Sequence, residues 1–165
     1  MSEAYEEFIQ GETVSRRAPP SAHELLVARL HEQVARCLPL NSALRLLPPR
    51  TELLLGEHSV LRPDLAIIRT EPGASAVVDS ADLYLVAEVL LPGDHHTDTV
   101  IKKQLWADAR VPRLWMVDPR YLNVEVYGRG EYGFTLIDIL AHHHPLTDPR
   151  LPGLGCSMDE LFADI

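Results

Sequence analysis

The stretch "LVAEVLLPGDHHTDTVIKK", Leu85 to Lys103, decides the reading of this chain. It starts as a continuous apolar run and ends on a polar, lysine-bearing segment. The run "LYLVAEV" is too apolar for a half-exposed strand, and it predicts a central strand covered on both faces. The following "TDTVIKKQLWADAR" predicts a helix with Thr97 as N-cap. The next apolar run, "RLWMVD", predicts a strand that ends before Pro119. A strand, a helix and a strand in this order need a crossover, so at least two strands are expected to be parallel. Within that unit Glu88 is anomalous. A carboxylate in an apolar strand is costly unless it gains a partner or a cation.

The rest of the chain fits around this unit. "APPSAHELLVARLHEQVARCLP" predicts a helix, with Ser21 and Glu24 as a capping box and Leu26, Leu30, Val34 and Leu38 as its apolar stripe, ended by Pro39. "ALRLLP", "ELLLG" and "PDLAIIR" predict a meander of strands between Ala43 and Arg69. The opening "MSEAYEEFIQGE" reads as a short acidic helix, and "TEPGASAVVDSAD" as a long loop. "NVEVYG" and "YGFTLIDI" alternate and predict a hairpin through "GRGEYG". "SMDELFADI" repeats the capping-box pattern with Ser157 and Glu160. The expected class is α/β or α+β: one domain over residues 1–165, with a mixed sheet flanked by helices.

Bulk properties narrow the function. A chain of 165 residues, 46% hydrophobic and 24% charged, can build one sizeable core. No apolar run nears the roughly 20 residues of a membrane span. The N-terminus lacks the pattern of a signal peptide. Cys37 and Cys156 form no CxxC pair and read as reduced thiols of a cytoplasmic protein, with a single bridge between them as the alternative. The formal net charge of −9 argues against coating nucleic acid or membrane by bulk electrostatics, and suits a site that gathers carboxylates. There is no Walker loop, Rossmann glycine pattern, HExxH or evident Ser-His-Asp arrangement.

Two carboxylates stand in similar settings. Asp64 opens an apolar strand in "RPDLAII", and Glu88 lies near the end of the next long one. Neighbouring strands would bring them together as hard oxygen ligands of the kind Mg²⁺ takes, with a lysine on the next helix to steady water or phosphate. Plainer readings stand beside this one. Asp64 could simply accept backbone hydrogen bonds at a strand start. Glu88 could be half of a buried ion pair. Asp98 and Lys102, four apart, match an ordinary surface pair. His95 and His96 beside Asp94 and Asp98 offer imidazoles for a transition metal, but in no common zinc spacing. His142–His144 read as a solvated loop, Trp106 and Trp115 as core. His23 could face the site, but it is expected to help cap the helix, and Glu24 is assigned to the cap.

At these residues the sequence resembles the Uma-type restriction endonuclease family of the PD-(D/E)XK nuclease superfamily, a bacterial family. The likeness runs from about Phe8 to Phe162. It rests on "GETVSRRAPPSAHELLVARL", "RPDLAII", "EVLLPGDHHTDTVIKK", "VPRLWMVDP" and "LPGLGCSMDELF", in that order. The resemblance implies a restriction-endonuclease-like core with metal carboxylates at Asp64 and Glu88, and the Val89 carbonyl as a further ligand. It places the lysine on the helix at Lys102, with Lys103 the fallback, because Leu90 occupies the simplest motif's lysine position. It implies Mg²⁺, or Mn²⁺, and hydrolysis of phosphodiesters in DNA. A homodimer would serve palindromic cleavage. Leu91, Arg110 and Leu114 replace the family's usual serine, glycine and aromatic residue. Two other functions remain: a non-catalytic binding or assembly module of the same fold, and a phosphoesterase on small nucleotides. A nuclease should show a cationic rim, for which Lys102, Lys103, Arg110, Arg113 and Arg120 are the candidates.

Overall fold

The run quoted above lies at the middle of a six-stranded sheet. The computed structural model describes residues 3–38, 43–70, 78–94 and 96–165. Its elements are β1 (Tyr5–Ile9), β2 (Glu12–Arg16), α1 (Ser21–Cys37), β3 (Leu44–Leu46), β4 (Leu53–Leu55), β5 (Ser59–Leu61), β6 (Leu65–Arg69), β7 (Leu83–Val89), α2 (Lys103–Asp108), β8 (Arg113–Asp118), β9 (Asn123–Arg129), β10 (Phe134–Ala141), β11 (Pro145–Leu146), β12 (Cys156–Ser157) and α3 (Met158–Leu161). The large sheet has the order β10-β9-β8-β7-β6-β3. β7 pairs antiparallel with β6, Leu65 opposite Ala87, and parallel with β8, Val86 opposite Leu114. The expected crossover is therefore present. The other neighbours in this sheet are antiparallel, which makes the architecture α+β with a mixed sheet.

Both faces of β7 are covered, as its composition requires. On one face Leu26, Leu30 and Val34 of α1 pack with Leu65, Leu85, Ala87 and Trp115, closed by Met158 and Leu161 of α3. On the other, Val86, Leu114 and Met116 pack with Trp106 of α2 and with Leu53 and Leu61 of a second sheet, order β2-β1-β5-β4.

The second sheet corrects two expectations. The acidic opening is a hairpin, not a helix: Tyr5 pairs with Arg16 and Ile9 with Glu12. Gln10 and Gly11 turn it with φ of 52° and 89°, the two positive values that a tight hairpin turn demands. Alternation in "YEEFI" carried that signal, and the acidic composition obscured it. Nor do the three predicted runs form one meander, and β5 is a further strand outside them. β3 pairs with β6 in the large sheet, while β4 and β5 pair with each other in the small one. Strands of three residues carry too little pattern to choose a neighbour.

The helices bear smaller corrections. α1 starts at Ser21 as expected, but its N-cap is Pro20 and no side chain caps it. Pro20 already has the extended backbone a cap needs, φ −66° and ψ 159°, and Glu24 is left for another partner. The crossover helix opens not with a capped α-turn but with a π-turn, Thr97–Lys102, running into α2. The capping box at Ser157 and Glu160 is present. Ser157→Ala is expected to cost about 1 kcal/mol, read as a lowered thermal midpoint. Pro39, His95 and residues 71–77 of the expected loop lie outside the described residues. Cys37 and Cys156 are both free thiols. Among the described residues no helix is long and apolar enough to cross a membrane.

Candidate active site

Asp64 directly precedes β6, and Glu88 and Val89 end β7, so antiparallel pairing places all three at one end of the sheet. Asp64 Oδ2 accepts the Val89 N–H at 2.9 Å. This is the backbone bond of the plainer reading, and it also fixes the carboxylate beside the Val89 carbonyl. Asp64 Oδ1 is buried with no hydrogen-bond partner; Arg50 stands 3.7 Å away. Glu88 faces the other way across β7, toward α2. Its Oε1 accepts from Trp106 Nε1 at 2.9 Å and lies 2.8 Å from Lys102 Nζ.

Lys102 is 2% exposed, so its pair with Asp98 is not a surface pair. Its ammonium lies 3.0 Å from Glu7 Oε1 and 3.9 Å from Asp98 Oδ1. The wide π-turn carries both Asp98 and Lys102 inward, a local distortion often found at functional sites. Arg16, at the end of β2, crosses the same cluster. It contacts Glu7 Oε2 at 2.9 Å, Asp98 Oδ1 at 2.9 Å and Asp94 Oδ2 at 3.2 Å.

α1 supplies a third side. His23 Nε2 is 3.2 Å from the Val89 carbonyl and 3.3 Å from Asp64 Oδ2. His23 therefore faces the site, against the expectation that it caps the helix. Glu24, expected in the cap, instead receives both terminal nitrogens of Arg50 at 2.7 and 2.8 Å. Arg50 also lies over the Tyr5 ring.

Electrostatics follow from this crowding. Burial pushes the Glu88 carboxyl up to about 8, against the pull of Lys102 and with the repulsion of Asp98, Glu7 and Asp64. Burial also raises Asp98, against Lys102 and Arg16. Burial disfavours the Lys102 charge, but Glu88, Glu7 and Asp98 outweigh it and hold the lysine above its ordinary range. Glu88 cannot be largely neutral and also support Lys102 fully. We hold that Lys102 stays charged, sustained chiefly by Glu7, which falls below the usual carboxylate range despite burial because Lys102, the Arg62 N–H and Arg16 all favour its anion. Glu88 is then an acid poised to take up a proton. Burial works against the imidazolium of His23 too, yet Asp64, Glu24 and the Val89 carbonyl raise it.

Six carboxylates, Glu7, Glu24, Asp64, Glu88, Asp94 and Asp98, meet three permanent cations, Arg16, Arg50 and Lys102. The excess is negative. Among the described residues no three His, Cys, Asp or Glu side chains cluster closely enough to enclose a metal. The His95–His96 zinc reading gains no such cluster from His96, Asp94 and Asp98; His95 itself lies outside the described residues. An open site fits better. It would use two carboxylates, one carbonyl and water, the set Mg²⁺ accepts. The Asp64 Oδ1, which accepts no hydrogen bond, and the acid excess match such an ion.

A cavity of about 380 Å³ adjoins the end of β7, lined by Arg17, Pro20, Leu91, Pro92, Gly93 and Asp94. The expected cationic rim does not surround it. Lys102 is buried, Lys103 stacks on Tyr127 at 3.6 Å, Arg113 pairs with Asp148 and Arg120 with Asp118. Trp106 and Trp115 are core, and His142–His144 are exposed, as expected.

Glu7, Arg16 and Arg50 were not read as site residues, while His23 was assigned to the cap and Asp98 to a surface pair. Only Glu7 had a usable signal, since it shares the inward face of "YEEFI" with Tyr5 and Ile9.

The fold is α+β, with Asp64 and Glu88 at one end of two central strands and Lys102 beside Glu88. The chain belongs to the Uma2 family, described as "Putative restriction endonuclease", whose model matches residues 2–159. Its fold is similar to the crystal structure of "a putative nuclease belonging to DUF820" from Anabaena variabilis, with a TM-score of 0.73 at 16% identity, over 95% of this chain and 89% of that one. No curated protein matches the chain.

Proposed function

We propose that this chain is a Mg²⁺-dependent endonuclease that hydrolyses phosphodiesters in DNA. The observation that supports the reading is the placement of Asp64 and Glu88 at one end of the neighbouring β6 and β7, with Lys102 2.8 Å from Glu88 and Asp64 bonded to the Val89 N–H. Asp64 and Glu88 would hold the ion, with the Val89 carbonyl as a third ligand. That carbonyl has a second lone pair besides the one facing His23. Mn²⁺ would fit the same donors. The ion would supply Lewis acidity toward the phosphoryl oxygen and a more acidic bound water.

The chain's own residues do the rest. Lys102 keeps Glu88 partly ionised against burial, and its positive charge favours negative charge developing on the phosphate. Glu7 orients Lys102 from below. Arg16 holds Asp94 and Asp98 and so fixes the turn that carries Lys102. Lys103, over the Tyr127 ring, does not take part in this cluster. Two copies would serve both strands of a duplex.

Cleavage of supercoiled plasmid tests the reading. Wild type with Mg²⁺ is expected to nick or linearise it, and Asp64→Asn to lower the rate about a hundredfold or more. A wild type inert on duplex, single strand and RNA would overturn it. Turnover of mononucleotides alone would select the phosphoesterase. One observation favours the rival binding module: the candidate rim cations scatter, and only Arg17 among the cavity residues is cationic. DNA binding without cleavage, unaffected by Asp64→Asn, would establish it.

A further inference from the structure

A second cluster of charge lies about 13 Å from Glu88 along β7, at the other end of the strand. Arg69 ends β6, Tyr84 is the second residue of β7, Arg113 begins β8, and Arg150 lies in the loop between β11 and β12. Pairing brings the three strand positions together. Tyr84 packs against the α1 and α3 side of the sheet, and Arg113 shares a face with Trp115 on that side. Glu88 points to the opposite side, with Met116. The two clusters therefore differ in both end and face.

Three guanidiniums meet one carboxylate here. The Arg69 and Arg150 groups lie 5.0 and 4.1 Å from the Tyr84 ring centre. Asp148 is the acid, 4% exposed. Its oxygens are already engaged. Oδ2 accepts from Trp115 Nε1 at 2.9 Å and lies 3.0 Å from Arg113 Nε, and Oδ1 accepts the Arg150 N–H at 2.9 Å. Among the described residues two positive charges are left over. Among the described residues Arg113 Nη1 and Arg150 Nε and Nη2 are buried with no hydrogen-bond partner, and the Arg113 Nε ion pair lacks hydrogen-bond alignment. Burial lowers the Arg150 guanidinium from its ordinary value; Arg113 and Arg69 push the same way, against the pull of Tyr84. Unpaired buried donors of this strength are costly and need an acceptor. Arg69 is exposed, so the cluster reaches solvent.

We propose that Arg69, Arg113 and Arg150 around Tyr84 form a binding site for a phosphate dianion, separate from the carboxylate–lysine centre. A phosphate monoester carries nearly two negative charges and three strong acceptor oxygens. That matches the local excess of charge and the forked geometry of the idle donors. Inorganic phosphate and the terminal phosphate of a nucleotide share this chemistry.

The test is calorimetric titration of the full chain with inorganic phosphate and with a nucleoside 5′-monophosphate, in EDTA, so that no metal recruits phosphate to Asp64 and Glu88. Saturable binding is expected, weakened about tenfold or more in Arg150→Gln and in Arg69→Gln. Arg69 is exposed, so its variant folds even if Arg150→Gln does not. Tighter binding of the nucleotide would identify an organic monoester as the ligand; equal binding would identify phosphate itself. Absence of saturable binding, or affinity unchanged in Arg69→Gln and any folded Arg150→Gln, would overturn the proposal.

Discussion

Lys102→Met is expected to lower the unfolding free energy at pH 7 by about 3–5 kcal/mol, the cost of leaving buried charge uncompensated. The volume change is small, so packing alone predicts far less. The ammonium lies within 4 Å of Glu7, Glu88 and Asp98, all buried. Without it, Arg16 is the one remaining cation in contact with Glu7 and Asp98 among the described residues. The loss should shrink toward pH 5, because burial has already raised Glu88 and Asp98 and they accept protons first. Urea unfolding at both pH values measures this. A loss below about 1 kcal/mol at pH 7 would match a surface pair and contradict the buried centre.

The second large effect has the opposite sign. Glu88→Gln is expected to stabilise the metal-free protein by about 2 kcal/mol at pH 8 while removing cleavage. Glu88 is raised from 4.5 in the unfolded chain to about 8 in the fold. A raised carboxyl contributes stability that is fully present below the unfolded value and is lost as pH rises through the folded one. Wild-type stability should therefore carry a falling contribution between about pH 4.5 and 8, and glutamine should flatten it. If Glu88→Gln instead destabilised the protein and left the slope unchanged, Glu88 would be only the structural partner of Lys102. Stability gained at the expense of function marks a residue retained for chemistry.

The parallel pair β7–β8 follows from an apolar run, a helix and another apolar run, because a crossover leaves few alternatives. The shared sheet end of Asp64 and Glu88, and the approach of Lys102 to Glu88, were legible for the same reason: two sit at strand ends and the third lies on the connecting helix. The β1–β2 hairpin was missed because three glutamates in a short segment mask a five-residue alternation. Glu7 and Arg16 were missed with it, since a buried ion cluster closed by residues 82 positions apart, Arg16 to Asp98, leaves no local pattern. Glu24 shows the converse error. Its spacing from Ser21 fits a capping box, but Pro20 takes the N-cap position, where it offers no side-chain acceptor, and Arg50 takes the carboxylate.

The central claim is that Asp64 and Glu88 hold a divalent ion. Its most direct test is calorimetric titration of Mg²⁺ and Mn²⁺ into the wild type, Asp64→Asn and Glu88→Gln, near pH 8, where Glu88 can ionise. Saturable binding in the wild type that disappears in both variants is the predicted result. Binding that survives in either variant, or is absent from the wild type with and without DNA, would contradict it.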